Sequence, residues 1–406
     1  MSAEETPAVS GGFPLEKTRK AISRENLGGW LFSTFHGRDT LSLSLLQLDP
    51  REKSTRPWYY FVFASGEPLK IVHAIEKSVL DPLPGETFVY ASRGELAAFL
   101  RERALPRLSG RALACQYSAE LPVLSFLDHG TAVLLESLGF TLASSAALVQ
   151  RFKGLLDEQG YASHREAAAG LYAAVASAWD RLEKLMAGGG DLFEGTVLRW
   201  ILDDLEAAGL RQSPGLIVAS GPNSAAAHHR TPTAPGEGRR IGKNEIIQFD
   251  IWTKKKTQGS VYADISWVGF TGTTVPEHLV REFACLVRAR DSAVSFIASR
   301  CAEGKAVRGR DVDAHVKSIL AEAGYAEATR HRTGHGIDTH VHGSGVNLDA
   351  VEFPDERLLL EGSCFSVEPG IYFADHGMRS EINVVMRDAG PVISGGEPQR
   401  ELLRFH

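Results

Sequence analysis

Two acidic residues in the second half of this chain sit inside runs that otherwise read as buried β-strand: Asp250 in NEIIQFDIW and Asp264 in VYADISWVGF. Their β-branched and aromatic neighbours mark a strand, a loop (TKKKTQGS) and a return strand. A carboxylate in such surroundings is costly to bury unless a cation or hydrogen-bond donors compensate it, and two facing carboxylates on one hairpin also repel each other. A bound divalent ion removes that conflict. Capping of strand-end carboxylates by backbone amides is the plainer alternative. Any fold open to this chain must bring compensating charge to the hairpin.

Two further segments supply the same kinds of side chain. In TGHGIDTHVHG, His335 lies between two glycines, where the backbone can approach a ligand closely; His342 follows seven residues later, with Asp338 and His340 between. In FSVEPGIYF, Glu368 ends an apolar strand before a Pro-Gly turn. In GMRSEINVVM, Glu381 sits inside the next strand, where period-two alternation puts Arg379 on the same face and able to orient it. Each of these residues alone has an ordinary structural reading, a satisfied core histidine or a capped acid. Together, four carboxylates and one imidazole projecting from strands suit a bridged pair of Mn²⁺, Co²⁺, Zn²⁺ or Fe²⁺ ions better than a closed tetrahedral zinc site. Two such ions roughly 3.5–4 Å apart can share a water, lower its pKa toward neutrality and polarise a scissile carbonyl.

With 406 residues the chain exceeds one ordinary core, so two domains are expected. Helices and strands alternate from about 14 to 150, as in an α/β domain, without a dense cluster of catalytic residue types. A long Ala- and Leu-rich helix over 150–187 is expected to bridge the halves. The division is therefore a disordered leader (1–13), an N-terminal domain (14–155) and a catalytic domain (156–406). The net charge of -6 and the lack of a basic stripe argue against nucleic acid. Lys254 to Lys256 reads as a solvated loop tip, or alternatively as a group attracting a peptide's C-terminal carboxylate. No run approaches the roughly 20 apolar residues of a membrane span. The small-residue leader has no signal-peptide pattern, and the four scattered cysteines read as reduced thiols; both point to the cytoplasm.

The sequence resembles pita-bread metallopeptidases of the prolidase and Xaa-Pro aminopeptidase type. The resemblance rests on SGPNSAAAHH (220–229), FDIW and YADIS around the two aspartates, TGHGID with His342, VEPGIY (367–372), GMRSEI (377–382) and the closing EPQRELLRF (397–405). It is strong over about 150 to 406; the first half is similar to the family's creatinase-like domain in size and element order. It implies an α+β fold of two domains, a C-terminal pita-bread domain and a smaller N-terminal α/β domain. It also implies metal ligation by Asp250, Asp264, His335, Glu368 and Glu381, with Asp264 and Glu381 bridging both ions. Glu368 would handle the proton of the bridging water, His228 or its neighbour His229 would contact the substrate, and His342 would stabilise the oxyanion. Arg379 corresponds to the family's arginine near the metals. The implied activity is hydrolysis of Xaa-Pro dipeptides with Mn²⁺ as the first choice of ion, in a cytoplasmic homodimer acting on short proline-containing peptides. Aminopeptidase action on longer peptides, or a non-catalytic binding role on the same fold, are the alternatives. The long loop between the aspartates and Gly343-Ser344 after His342 depart from the family pattern and bear on specificity.

Overall fold

A strand buried on both faces needs cover on both, and Trp58–Phe63 is buried at every position. In the computed structural model, which describes residues 13–51 and 54–406, this strand lies at the heart of the first of two compact units, divided between Lys153 and Gly154. The leader expected over 1–13 lies, up to residue 12, outside the described residues.

The first unit contains α1 (Leu15–Arg24), β1 (Gly29–Thr34), α2 (Thr40–Leu46), β2 (Trp58–Phe63), β3 (Leu69–His73), β4 (Glu86–Tyr90), α3 (Arg93–Phe99), β5 (Leu113–Cys115), α4 (His129–Ser137), β6 (Leu142–Ser144) and α5 (Ala146–Lys153). Its six strands form one mixed sheet in the order β4-β3-β2-β1-β5-β6. One face packs Trp30, Phe32, Tyr60 and Val62 against α1, α2 and α5, and the other packs Phe61, Phe63 and Ile71 against α3 and α4. This is the two-sided α/β layering expected for the N-terminal half.

The second unit runs through α6 (Glu158–Ala187), α7 (Glu194–Ala207), β7 (Ile217–Ser220), β8 (Ile246–Thr253), β9 (Ala263–Phe270), α8 (Glu277–Ala302) and α9 (Gly309–Glu322). It ends with β10 (Cys364–Val367), β11 (Gly370–Tyr372), β12 (Gly377–Arg379), β13 (Ile382–Arg387), β14 (Gly390–Ser394) and β15 (Leu403–Arg404). The long helix α6, expected to bridge the halves, belongs wholly to this unit. The strands pair as β15-β9-β8-β7, β10-β13-β14 and β11-β12. Alternation then sorts the hairpin: Ile247, Phe249, Ile251, Ala263 and Ile265 join the core under α6 and α7, whereas Ile246, Val268 and Phe270 join the core with α8 and α9. Asp250 and Asp264 share the parity of this second set, so they point into the space between the hairpin and the β10–β14 strands. The side-chain amide of Asn383 ties that junction: it accepts from the Asp264 N–H (2.9 Å) and donates to the Asp264 carbonyl (2.6 Å).

All four cysteines are unpaired, with Cys115, Cys285 and Cys364 buried and Cys301 exposed. Among the described residues no helix is long and apolar enough to cross a membrane.

His164 on α6 is fully buried, held by the Tyr262 carbonyl (2.6 Å) and the Ser394 hydroxyl (2.6 Å), and burial pushes its imidazole down to about 4. Its folded pKa lies below the ordinary histidine value. The unfolded chain therefore takes up a proton that the folded chain refuses, and stability falls as pH drops from about 6.5 toward 4. The full effect is roughly 3 kcal/mol. Urea denaturation of His164→Gln should show a shallower acid slope than the parent; identical slopes would exclude this histidine as the source.

Candidate metal centre

The register of the hairpin sets the spacing of its acids. Asp250 stands opposite Ser266, and Asp264 opposite Trp252, so the two carboxylates are diagonal neighbours on one face and do not face each other directly. Ser266 fills the position between them. Its hydroxyl oxygen lies 2.8 Å from Asp250 Oδ1 and 2.9 Å from Glu381 Oε2, and it accepts from Arg379 Nε at 2.9 Å. A hydroxyl has one proton, so it satisfies only one of these acids at a time.

His335 reaches the same space from the segment before β10. Its N–H donates to the Ser366 hydroxyl (2.9 Å), and its carbonyl accepts from the Ser366 N–H (2.9 Å). The flanking glycines serve this backbone packing. A Cβ at Gly334 would lie 2.0 Å from the Ser366 carbonyl oxygen, and one at Gly336 would lie 2.6 Å from the Gly345 carbonyl carbon. His335 Nε2 stands 3.5 Å from Asp264 Oδ2 and 3.4 Å from Glu368 Oε1, close enough to share a ligand and too far for a good hydrogen bond.

Glu368 follows directly on β10, its N–H held by the Thr333 carbonyl (2.7 Å) and its Oε1 accepting from the Ser366 hydroxyl (3.0 Å). Glu381 does not lie inside a strand as expected. The run from 379 breaks after β12, and Ser380 and Glu381 form the link into β13, where the Glu381 N–H bonds the Ser266 carbonyl (3.2 Å). The break frees Glu381 from sheet alternation and turns it toward Ser266 and Arg379.

Charge in this space is badly unbalanced. Asp250, Asp264, Glu368 and Glu381 are all buried; among the described residues the buried guanidinium paired with them is that of Arg379, which pairs with Asp250 and lies 3.7 Å from Glu368. Burial, then the charges of Asp250 and Glu368, push the Asp264 carboxyl well up; burial, then Asp264 and Glu368, do the same to Glu381. For Glu368 burial works upward too, but the charges of His335 and Arg379 outweigh it and hold the carboxyl below its usual range. Asp264 Oδ1 and Glu381 Oε1 are buried and accept no hydrogen bond among the described residues. Asp264, His335 and Glu381 each offer a ligand atom, all within 4.8 Å of one another. Two orphaned carboxyl oxygens beside an imidazole nitrogen, in a space crowded with acids, could hold a divalent cation.

The other candidates separate clearly. His342 is exposed, its ring 4.3 Å from that of His335 and crossing it at 73°. The charge of His335 and partial burial hold His342 down to about 4. His228 is exposed, and its charge is felt at His342. His229 is turned away and bonded to Glu194 (3.2 Å). His340 is exposed and bonded to Asp338 (3.3 Å). The lysines of the 254–256 loop all have partners: Lys254 donates to the Thr339 carbonyl (2.8 Å), Lys255 pairs with Glu166, and Lys256 pairs with Glu206 (2.5 Å).

Sequence reasoning missed Ser266 and Asn383, since a hydroxyl or amide within a strand breaks no periodic pattern. It also missed the buried Tyr372, whose hydroxyl burial pushes up to about 12; that hydroxyl meets Arg379 Nη1 (3.3 Å) and His331 Nε2 (2.9 Å).

Residues 162–388 match the profile of metallopeptidase family M24. Over 286 residues the chain is 28% identical to a Mycobacterium tuberculosis protein named "Probable dipeptidase PepE", covering 70% of this chain and 68% of the relative. It is 32% identical over 182 residues to an Xaa-Pro dipeptidase of Lactobacillus helveticus, 44% of each chain. The crystal structure of dipeptidase PepE from Mycobacterium ulcerans superposes with a TM-score of 0.68 at 22% identity, covering 97% of this chain and 99% of that one.

Proposed function

The chain belongs to metallopeptidase family M24, and from that premise we propose that it hydrolyses the Xaa-Pro bond of dipeptides at a two-metal centre held by Asp250, Asp264, His335, Glu368 and Glu381. The observation that carries the reading is the pair of buried, unpartnered oxygens, Asp264 Oδ1 and Glu381 Oε1, in a space with three more acidic or imidazole groups. In this assignment Asp264 and Glu381 would be shared between the ions, with Asp250, His335 and Glu368 completing the donor set. Bound divalent ions supply Lewis acidity, making a water nucleophilic near neutral pH and polarising the scissile carbonyl. Glu368 takes the proton of the attacking water and returns it to the leaving proline nitrogen. His342 donates to the oxygen on which negative charge develops, and His228 contacts the substrate amide. Arg379 fixes the Asp250 carboxylate. Residues 156–406 form the catalytic domain, with 14–155 as a creatinase-like domain; Mn²⁺, a homodimer and a cytoplasmic site of action complete the proposal.

Dipeptides are preferred over longer peptides for an electrostatic reason. A free dipeptide carries a carboxylate next to the scissile bond, and a site selective for it needs an unengaged cation there. The three loop lysines are engaged, and so is Arg379. Arg332 is half-buried, its guanidinium has no hydrogen-bond or ion-pair partner among the described residues, and its charge is felt at His335, His342 and Glu368. It is the group we assign to that carboxylate.

The test uses protein stripped with chelator and reloaded with Mn²⁺, assayed on an Xaa-Pro dipeptide and an Xaa-Pro-Xaa tripeptide. The dipeptide should be the better substrate, and Arg332→Gln should lower its kcat/KM by roughly 10–100-fold while leaving the tripeptide nearly unchanged. Preference for the tripeptide would make the protein an aminopeptidase, and no turnover of either would contradict the peptidase reading.

A further inference from the structure

Glu194, the first residue of α7, has a fully buried carboxylate that is none of the proposed metal ligands. Such a group persists only if every lone pair is used. Its Oε1 accepts from the Ser220 N–H (2.7 Å), the Ser220 hydroxyl (2.9 Å) and Asn223 Nδ2 (3.1 Å). Its Oε2 accepts from Asn223 Nδ2 (3.0 Å), the Arg239 N–H (3.2 Å) and His229 Nε2 (3.2 Å), which places the imidazole proton on Nε2. Every donor comes from one stretch of chain, 220–239, and that stretch carries His228.

The clamp continues on the far side of His228. Thr231 Oγ1 accepts from the Val218 N–H (2.8 Å) and donates to the Val218 carbonyl (2.9 Å), pinning the loop to β7. Gly195, next to Glu194, lies so close to the same loop that a Cβ there would stand 2.5 Å from the Ala234 carbonyl oxygen. Between these anchors His228 is exposed, and its charge is one of several felt at His342. The adjacent histidines therefore differ in setting: His229 faces inward to a buried anion, and His228 is exposed.

We propose that Glu194, acting through His229, is a positioning device for His228: the buried carboxylate locks the His229 ring, and the locked ring fixes the backbone from which His228 reaches the substrate. The inference rests on the substrate-contacting role proposed above for His228. Among the described residues neither Glu194 nor His229 hydrogen-bonds a proposed metal ligand, so their contribution to turnover is assigned to one neighbour, His228.

A double-mutant cycle on the full-length, Mn²⁺-loaded protein tests this. His228→Ala should lower kcat on an Xaa-Pro dipeptide by roughly 10²-fold, and His229→Gln by roughly 10-fold, with KM and bound metal changed less than about twofold. In the His228→Ala background, His229→Gln should cost nothing further. Glu194→Gln, which keeps the shape and removes the charge, gives an independent leg with the same expected loss of coupling. An equal loss from His229→Gln in both backgrounds would mean a general structural role and overturn the inference, as would no loss in the parent. A parent inactive on every Xaa-Pro peptide would overturn the peptidase reading and this inference together, whereas an additive cycle in an active parent overturns this one alone.

Discussion

Glu381→Gln and Asp264→Asn should each lower kcat/KM on an Xaa-Pro dipeptide by about 10³-fold or more, because each removes an anionic oxygen assigned to both ions. The same substitutions should act in the opposite direction on the metal-free protein. Both carboxyls are driven upward by burial first and by neighbouring carboxylates second. A carboxyl whose folded pKa exceeds its unfolded value costs stability when ionised, and the cost grows as pH rises through the raised pKa. Neutralising one such group relieves repulsion, so either variant, stripped with chelator at neutral pH, should melt above the stripped parent. On adding Mn²⁺ the parent should gain more than the variants, since binding to the folded state stabilises it by mass action. Turnover near the parent's level in either variant would remove these residues from the metal centre.

His342→Ala should cost kcat roughly 10²–10³-fold, the usual loss for one donor to a developing oxyanion, with two metal ions still bound. The geometry separates this role from ligation. His342 is exposed, and its ring packs across that of the buried His335, with the centroids 4.3 Å apart. Its ring nitrogens have no hydrogen-bond partner among the described residues, so a donor is available to a bound peptide. Metal loss that parallels the fall in kcat would instead make His342 a ligand.

Much of this centre could be read from the order of residues because burial of charge is a local signal: an acid between Ile, Phe and Trp is anomalous whatever surrounds it. Asp250 and Asp264 announced themselves in this way, and the structure puts both, buried, on one face of β8–β9. Their mutual spacing was not legible, since register depends on the pairing of the strands; Ser266, the residue between them, carries no anomaly of its own. Glu381 was read inside a strand because GMRSEINVVM alternates well enough, while its real place at a break follows from the contact with Ser266. The differing settings of His228 and His229 come from Glu194, 35 residues earlier than His229, a partner no spacing rule points to. In the first unit, TLSLSLL alternates like a strand but forms α2, where Asp39 caps the first turn by accepting from the Ser42 N–H (2.7 Å). Local capping outweighed period-two patterning there. β4 gave a weak signal for the opposite reason: as an edge strand it leaves most of its residues partly or fully exposed.

The proposed metal centre requires paired cations to hold a surplus of buried negative charge in place. Elemental analysis of the purified full-length protein, coupled to melting with and without chelator, tests it most directly. Two divalent ions per chain, a fall in Tm when they are removed, and recovery with Mn²⁺ are expected. Protein that binds no stoichiometric metal, and whose Tm is unmoved by chelator and by Mn²⁺ alike, would contradict it.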